Sequence, residues 1–388
     1  MWKSAPGLKA LKTKLTHRWT NYQPNMDKLG RAKEEITGLF CNDNFIFCGQ
    51  KNGEVGVYGV STGEWIRDLE TEYEWEESSE TLVAGRGSVV AAVSWERLVS
   101  VWNTKGGKDQ LTSYYHQSHH CEDDSCDCQK GYNISAIKVV DDQRVVLVLK
   151  QRRKSTVMVL TKGEDGWDVK GKLWGEARGC CAWEAPKVTL GCQGDFFCPC
   201  GEDNLHFLFG SARTKCEDWC GHDEAEVTFD VDGIASLFQE SPFLILARRK
   251  FVQDSRFASF GEWSTALQVY DLESHQELKS ILSSGSFCDL LTNESVVVTV
   301  TRDINSRSAL IYIYNKKMLL DPKIPPEAIR TQKISAIYPS SEMSISRSRI
   351  VFSPNNQGQE RTIYALNFWL ERDQLDVKED DESHQEAE

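Results

Sequence analysis

The chain has 388 residues, 40% of them hydrophobic and 27% charged, with only 10 prolines and 27 glycines. That is the make-up of a folded globular protein rather than a collagenous or linker-like one, and no apolar run approaches the roughly 20 residues needed to span a bilayer. A net charge of −13 argues against nonspecific nucleic-acid binding by the body of the molecule, and no membrane partner is expected.

Positive charge is concentrated at the start. Residues 1–33 hold Lys3, Lys9, Lys12, Lys14, Arg18, Lys28, Arg31 and Lys33 against one acid, Asp27. Met1 to Leu15 lacks the continuous apolar stretch of a signal peptide, so the cytoplasm or nucleus is the expected location. The 13 cysteines are then expected as reduced thiols. Asn133-Ile-Ser and Asn293-Glu-Ser match the glycosylation pattern and read as chance matches in a chain that is not exported. Two elements are read in this segment: an amphipathic helix over residues 3–18, with Leu8, Leu11 and Leu15 at helical spacing, and a strand from Leu15 to Tyr22. Both hold if the helix ends before the strand.

From Ile36 onward a four-residue pattern recurs. Ile36-Thr-Gly-Leu39 returns as Ile134-Ser-Ala-Ile137, Ile234-Ala-Ser-Leu237 and Ile334-Ser-Ala-Ile337, with starts 98, 100 and 100 residues apart. Thr81-Leu-Val-Ala84, Cys180-Cys-Ala-Trp183 and Phe287-Cys-Asp-Leu290 fall between them, giving a unit near 50 residues. The first unit sets the order of its elements. Phe45 to Gly49 is a short buried strand, Lys51-Asn-Gly53 a hairpin turn, Glu54 to Val60 an alternating strand, Ser61-Thr-Gly63 a second turn and Glu64 to Leu69 a fourth strand. Four short antiparallel strands in such a unit make one propeller blade. Blades are counted from near Ile36, Thr81, Ile134, Cys180, Ile234, Phe287 and Ile334. The expected fold is all-β: a seven-bladed β-propeller with four-stranded antiparallel blades over residues 34–370. The basic segment 1–33 supplies a helix plus a closing strand, because residues 334–369 contain three strands where a blade needs four. The acidic tail 371–388 is expected to be disordered.

Third-strand ends repeat as well: Val57-Tyr58-Gly59, Val101-Trp102-Asn103, Val269-Tyr270-Asp271 and Ile313-Tyr314-Asn315. The aromatic residue is placed to pack between neighbouring blades. This resembles the position of the Trp-Asp pair that names the WD-repeat family, although none of these third strands carries Trp-Asp itself. Gly221-His222 is a candidate remnant of that family's Gly-His element.

Few residues invite a chemical reading. His119-His-Cys121, Cys126-x-Cys128, Cys198-x-Cys200 and Cys216-x3-Cys220-x-His222 are metal-ligand types, but none has the two-residue gap of a zinc knuckle and they fall on different blades. They read as acidic surface loops and small buried strand residues; no metal and no cofactor is expected. Gly-x-Ser-x-Gly, the P-loop and His-Glu-x-x-His are absent. Gly85-Arg-Gly-Ser88 is a turn, and the carboxylates of Glu72, Glu74, Glu76 and Glu77 form a solvated run. A catalytic role is not expected.

Topology locates binding instead. Connections between second and third strands, and between one blade and the next, share a rim, and the long insertions are assigned to it: Thr71–Glu80, His116–Lys130, Thr214–Asp232 and Arg248–Ala266. The last carries Arg248, Arg249, Lys250, Phe251, Arg256, Phe257, Phe260 and Trp263. Arginine beside aromatic residues is the composition of interaction hot spots, so Arg248, Arg249, Arg256, Phe257 and Trp263 are the candidate partner-binding residues. The alternative is that Phe257 and Trp263 cover a gap at that blade's edge.

The opening of the chain, Leu11-Lys-Thr-Lys-Leu-Thr-His-Arg-Trp19, followed by Asn52-Gly-Glu-Val-Gly-Val-Tyr58 and Thr62-Gly-Glu-Trp65, resembles the entry to the propeller in F-box/WD-repeat proteins. That resemblance implies a substrate receptor of a cullin-type ubiquitin ligase, with an F-box that recruits an adaptor and a rim that holds the substrate. No Leu-Pro-rich F-box pattern precedes the first blade. A stand-alone scaffold in another multiprotein assembly is the alternative.

Overall fold

The computed structural model describes residues 16–21, 24–69, 80–94, 98–104, 110–115, 133–139, 142–151, 154–162, 167–168, 189–190, 196–200, 204–208, 227–230, 234–240, 242–253, 261–271, 274, 276–302, 308–329, 331–336, 340–354 and 361–368. These form seven four-stranded antiparallel sheets. The first contains β2 (Ile36–Cys41), β3 (Phe45–Gln50), β4 (Val55–Gly59) and β5 (Trp65–Leu69). The second contains β6 (Leu82–Arg86), β7 (Val89–Ser94), β8 (Leu98–Asn103) and β9 (Gln110–Tyr115). The third contains β10 (Asn133–Val139), β11 (Arg144–Gln151), β12 (Lys154–Lys162) and β13 (Trp167–Asp168). The fourth contains β14 (Thr189–Leu190), β15 (Phe196–Cys200), β16 (Asn204–Leu208) and β17 (Val227–Asp230). The fifth contains β18 (Ile234–Glu240), β19 (Phe243–Gln253), β20 (Gly261–Asp271) and β21 (Gln276–Ser284). The sixth contains β22 (Ser286–Thr292), β23 (Val296–Arg302), β24 (Ala309–Asn315) and β25 (Thr331–Ala336). The last contains β26 (Ser340–Ile345), β27 (Arg349–Pro354), β28 (Thr362–Asn367) and, as its outer strand, β1 (Asn25–Arg31). First strands of successive sheets lie side by side: β26 meets β2, β2 meets β6, β6 meets β10, β14 meets β18, β18 meets β22 and β22 meets β26. Sheets stacked face to face around their first strands are the architecture of a β-propeller.

The recurring Ile-x-x-Leu pattern has a local cause. Register shifts fall between Ile36 and Gly38, Ile134 and Ala136, Ile234 and Ser236, and Phe287 and Asp289. In a regular strand residues three apart face opposite sides. One extra residue at a bulge returns them to the same side. Ile36 and Leu39 accordingly enter one core cluster, Ile134 and Ile137 another, and Phe287 and Leu290 a third. β6 pairs without a shift, and its copy of the pattern, Thr81-Leu-Val-Ala84, is the one without that apolar spacing.

The third-strand aromatics seal the sheets to one another. Tyr58 packs among Val351, Ile363 and Ala365 of the last sheet. Trp102 packs among Phe47, Val55 and Val57 of the first, and Tyr314 among Ile245, Leu267 and Val269 of the fifth. In each case the ring reaches back into the preceding sheet. The chain's one Trp-Asp pair, Trp167–Asp168, is an outer strand rather than a third-strand end.

The described first strand of the fourth sheet is Thr189–Leu190; Cys180–Trp183, from which that blade is counted in the sequence, lies outside the described residues. Two expectations are corrected. Ile334 does not open a blade. The sixth unit is lengthened by a helical insertion, the short helix Lys316–Leu320 and a 3-10 turn Pro326–Ala328, so Ile334 falls on the outer strand β25 and the last sheet opens at Ser340. The closing strand is Asn25–Arg31, not Leu15–Tyr22. It pairs with β28 from Asn25 opposite Asn367 to Arg31 opposite Thr362.

Residues 16–21 are instead helical, and they carry Trp19. Its fully buried indole is wedged between Val298, Ile311 and Ile313 of the sixth sheet and Ile350, Phe352 and Leu366 of the last. The ring stacks on Phe368 at 3.9 Å, and its N–H donates to the Arg347 carbonyl at 2.9 Å. Around this wedge the turns between first and second strands are laced together. Asn293 Nδ2 donates to the Ser346 carbonyl, the Arg347 amide donates to Asp43 Oδ1, and Asn42 Nδ2 donates to the Gly87 carbonyl. Arg347 also lies between Asp43 (3.6 Å) and Glu294 (3.7 Å). Asn293 is thus committed through both side-chain atoms, since its Oδ1 accepts from the Ser295 and Val296 amides.

Two buried cations join neighbouring sheets in the same way. Lys279 of β21 donates its ammonium to the Met318 (2.8 Å), Leu319 (2.9 Å) and Asp321 carbonyls at the end of the helical insertion. Arg349 of β27 donates to the Val60 carbonyl of the first sheet.

Candidate functional site

The rim formed by second-to-third strand connections and sheet-to-sheet connections was singled out by sequence, and its most distinctive element is in the fifth sheet. β19 and β20 each run for 11 residues, against 6 for β3 and 5 for β4. Pairing of β18 with β19 ends at Ile234 opposite Arg248, and pairing of β21 with β20 ends at Ser284 opposite Ser264. The two middle strands continue beyond both neighbours as a ribbon, with Phe251 opposite Trp263, Val252 opposite Glu262 and Gln253 opposite Gly261. The stretch expected as a loop insertion from Arg248 to Ala266 is therefore largely a hairpin, because its β-branched and aromatic residues extend the ladder. Only 254–260, which includes Arg256, Phe257 and Phe260, lies outside the described residues.

The five candidate residues are distributed as follows. Arg248 is a half-buried strand residue whose guanidinium donates to Gln268 Oε1 at 3.1 Å. Gln268 in turn donates to Glu277 Oε2 at 2.7 Å, and the Tyr270 hydroxyl donates to the same oxygen at 3.1 Å. Arg248 thus belongs to a network across β19, β20 and β21. Arg249 stands opposite Thr265, where β21 still pairs, and Trp263 stands opposite Phe251 on the ribbon. Among the other insertions, Thr214–Asp232 is reassigned. Its larger part, 214–226, falls between the third strand β16 and the fourth strand β17 in chain order and lies outside the described residues.

Sequence reasoning passed over two described features. Trp65, on the outer strand β5, is 51% exposed, with Lys33 over its ring at 5.0 Å and its indole N–H donating to Asp68 Oδ1 at 3.1 Å. Lys33 also pairs with Asp68, and beside it Arg361 pairs with Glu34 at 2.8 Å and Lys51 with Glu35 at 2.9 Å. The alternation of Lys33-Glu34-Glu35 was the available signal. Second, burial raises the Glu342 carboxyl to about 7, and the nearby charges of Asp289 and Glu80 push it the same way. Glu342 and Asp289 lie on first strands and Glu80 just ahead of one, a proximity that no local motif announces. Cys41 and Cys48, expected from the sequence as reduced thiols, are buried free cysteines. Burial pushes Cys41 up to about 12 and Cys48 further still, which keeps both in the unreactive protonated form.

Cys198 and Cys200 lie on β15, and His206 stands opposite Cys198 on β16. The remaining Cys/His fragments, 119–128 and 216–222, lie outside the described residues. Among the described residues no group of three or more metal-ligating side chains occurs.

No protein-family model matches the chain, and no curated protein sequence matches it. Its likeness is to solved structures. The WD40 repeats of RRP9 superpose with a TM-score of 0.55 at 12% identity, covering 89% of this chain and 98% of that one. The structure of U3-55K gives a TM-score of 0.55 at 12% identity, covering 88% of this chain and 98% of the other. At such identity the likeness concerns fold alone: the chain has a WD40-type propeller fold.

Proposed function

We propose that the chain is a protein-interaction scaffold, that its seven sheets close as a seven-bladed ring, and that its partner docks on the rim from which the β19–β20 ribbon extends. The ribbon is the observation that carries this reading. Paired residues beyond Lys250 and Ser264 add nothing to the ladder with β18 or β21, which leaves them open to another use. The sequence there is cationic and aromatic, with Arg249 and Lys250 leading into the ribbon, Phe251 and Trp263 on it, and Arg256 and Phe257 in the sequence between its two strands, outside the described residues. Such a surface suits an acidic protein face that accepts aromatic anchors.

The test is affinity capture from cell extract with wild-type protein and an Arg249→Ala, Arg256→Ala, Phe257→Ala, Trp263→Ala variant of unchanged thermal stability. Loss of at least two hot-spot contacts should weaken a specific partner by roughly 30-fold or more. Full retention of every partner by the variant would refute the rim assignment. The finer reading, a substrate receptor of a cullin-type ubiquitin ligase, is supported only by the resemblance of residues 11–65 to the propeller entry of F-box/WD-repeat proteins. Its alternative is a scaffold with no ligase role. Recovery of a ligase adaptor or cullin in the same capture selects the first, and its consistent absence selects the second.

A further inference from the structure

Two outer strands of the molecule are built alike and differ in what covers them. In the first sheet β4 meets β5 with Val57 opposite Arg67 and Tyr58 opposite Trp65, so Ile66 is the extra residue of a bulge. In the fifth sheet β20 meets β21 with Val269 opposite Lys279 and Tyr270 opposite Glu277, so Leu278 is the extra residue. Trp65-Ile-Arg67 therefore corresponds to Glu277-Leu-Lys279. The facing is the same as well. Val57 packs with Val90, Ala92 and Trp102 of the second sheet, and Val269 with Val297 and Tyr312 of the sixth. Residues directly opposite across two strands share a face, so Arg67 and Lys279 each lie on the side of the following sheet.

At the fifth sheet, the following sheet supplies a cover. The fifteen residues between β24 and β25 hold the short helix Lys316–Leu320 and the 3-10 turn Pro326–Ala328. Leu278 packs in one cluster with Met318, Leu319, Leu320 and Ile324, and the Lys279 ammonium donates to the Met318 and Leu319 carbonyls at the helix end. Lys279 is left 3% exposed. At the first sheet, the corresponding connection between β8 and β9 is the six residues 104–109, too few for such a helix and turn. There Ile66 is 42% and Trp65 51% exposed. Trp65 is nonetheless held in place, since its indole N–H donates to Asp68 and Lys33 stands over its ring. A fixed aromatic beside an apolar bulge residue loses little side-chain freedom on binding.

We propose that the edge formed by Trp65, Ile66 and Arg67 is a docking surface for a short apolar helix of a partner protein. The chain's own insertion is the pattern. Leu, Met or Ile side chains of the partner cover Ile66 and Trp65, and the carbonyls at its helix C-terminus face Arg67, whose charge suits the negative end of a helix. This surface lies on the first sheet and stands independently of the fifth-sheet ribbon.

The test selects phage-displayed random peptides of about 16 residues, roughly four helical turns, on the immobilised full chain. An enriched peptide is synthesised, its affinity read by fluorescence anisotropy and its bound conformation by far-ultraviolet difference circular dichroism. It should be helical when bound, with apolar residues three and four apart. Ile66→Asp, Ile66→Ser and Trp65→Ala should each weaken it by at least about tenfold. Leu282→Asp, at an exposed apolar residue of another outer strand, and the Arg249→Ala, Trp263→Ala variant should bind it as wild type does. Unchanged melting temperatures establish that the variants fold, and Ile66→Ser carries the comparison where Ile66→Asp does not. Failure to enrich any peptide, affinities that the Ile66 and Trp65 substitutions leave unchanged, or a bound peptide without helical dichroism would overturn the proposal. So would sedimentation showing a dimer of the chain that Ile66→Ser dissolves, because the occupant would then be a second copy.

Discussion

Trp19→Ala tests whether the segment ahead of the closing strand is structural or merely attached. The indole is fully buried between the sixth and last sheets, stacked on Phe368 at 3.9 Å, with its N–H on the Arg347 carbonyl. Removing a buried tryptophan costs about 3–5 kcal/mol from lost transfer energy and the cavity left behind. The short helix has little stability of its own, so it can undock and let water reach Phe368, which limits the loss to the upper part of that range rather than beyond it. For a body of more than 300 residues one kcal/mol moves the melting temperature by about 2 °C or less. A fall of at most about 10 °C is expected in thermal unfolding followed by near-ultraviolet circular dichroism. Trp19→Phe keeps the stack and loses the hydrogen bond, and should cost about 1 kcal/mol. A shift below about 2 °C for Trp19→Ala would refute the wedge, and equal losses for both variants would show that the hydrogen bond rather than the packing does the holding.

Lys279→Met should destabilise by about 3 kcal/mol or more in urea unfolding, because the Met318, Leu319 and Asp321 carbonyls lose a shared charged donor at a helix C-terminus. Gly49→Ala should cost about 1–3 kcal/mol, because a Cβ on Gly49 would collide with the Thr81 carbonyl oxygen and stand 2.7 Å from Val83 Cγ2. Glu342 gives a pH signature. Its folded-state value near 7 stands above the ordinary 4.5 through burial and the charges of Asp289 and Glu80, so the folded state binds the extra proton between those values. Stability should therefore decline as pH rises from 4.5 to 7, by on the order of 2–3 kcal/mol, and Glu342→Gln should flatten that slope; an unchanged slope would discount the group. A thiol reagent at pH 8 should label the exposed Cys288 in the native protein while Cys41 and Cys48 react only after unfolding.

The all-β class and the strand order within a sheet were legible where a local rule acted within one unit. The Ile-x-x-Leu spacing is readable because a bulge near the start of a first strand turns both apolar residues into the same core, and the same device marks β2, β10, β18 and β22. Third-strand aromatics were readable because each fills the groove against the preceding sheet. Legibility failed where an element's partner is distant or absent from the repeat. Ile334 carries the right spacing but sits on an outer strand, since fifteen residues between β24 and β25 are taken up by the helical insertion. The closing strand was placed at Leu15–Tyr22 because Trp19 and Tyr22 have strand-like composition, whereas the strand that forms, Asn25–Arg31, is polar on an exposed edge with Met26 outermost. Arg248 was read as a loop hot spot; its bond to Gln268 depends on register across three strands and leaves no trace in local composition.

That last case bears on how the rim should be probed. Arg248 lies at the point where β18 stops pairing, so its substitution would disturb the fifth sheet's own network through Gln268, Glu277 and Tyr270. A lost partner in an Arg248→Ala variant would thus report the sheet as much as the interface. Trp263 avoids that ambiguity because β18 and β21 have both ended at its level, and Arg249 avoids the β18 end although its partner Thr265 still pairs with Ser283 of β21. If the rim is the docking surface, Arg249→Ala and Trp263→Ala should weaken capture with melting temperatures within about 1–2 °C of wild type, whereas Arg248→Ala should lower both together. The opposite ordering, with stability falling for the ribbon variants and capture unchanged, would make the ribbon a cover for the sheet's edge instead.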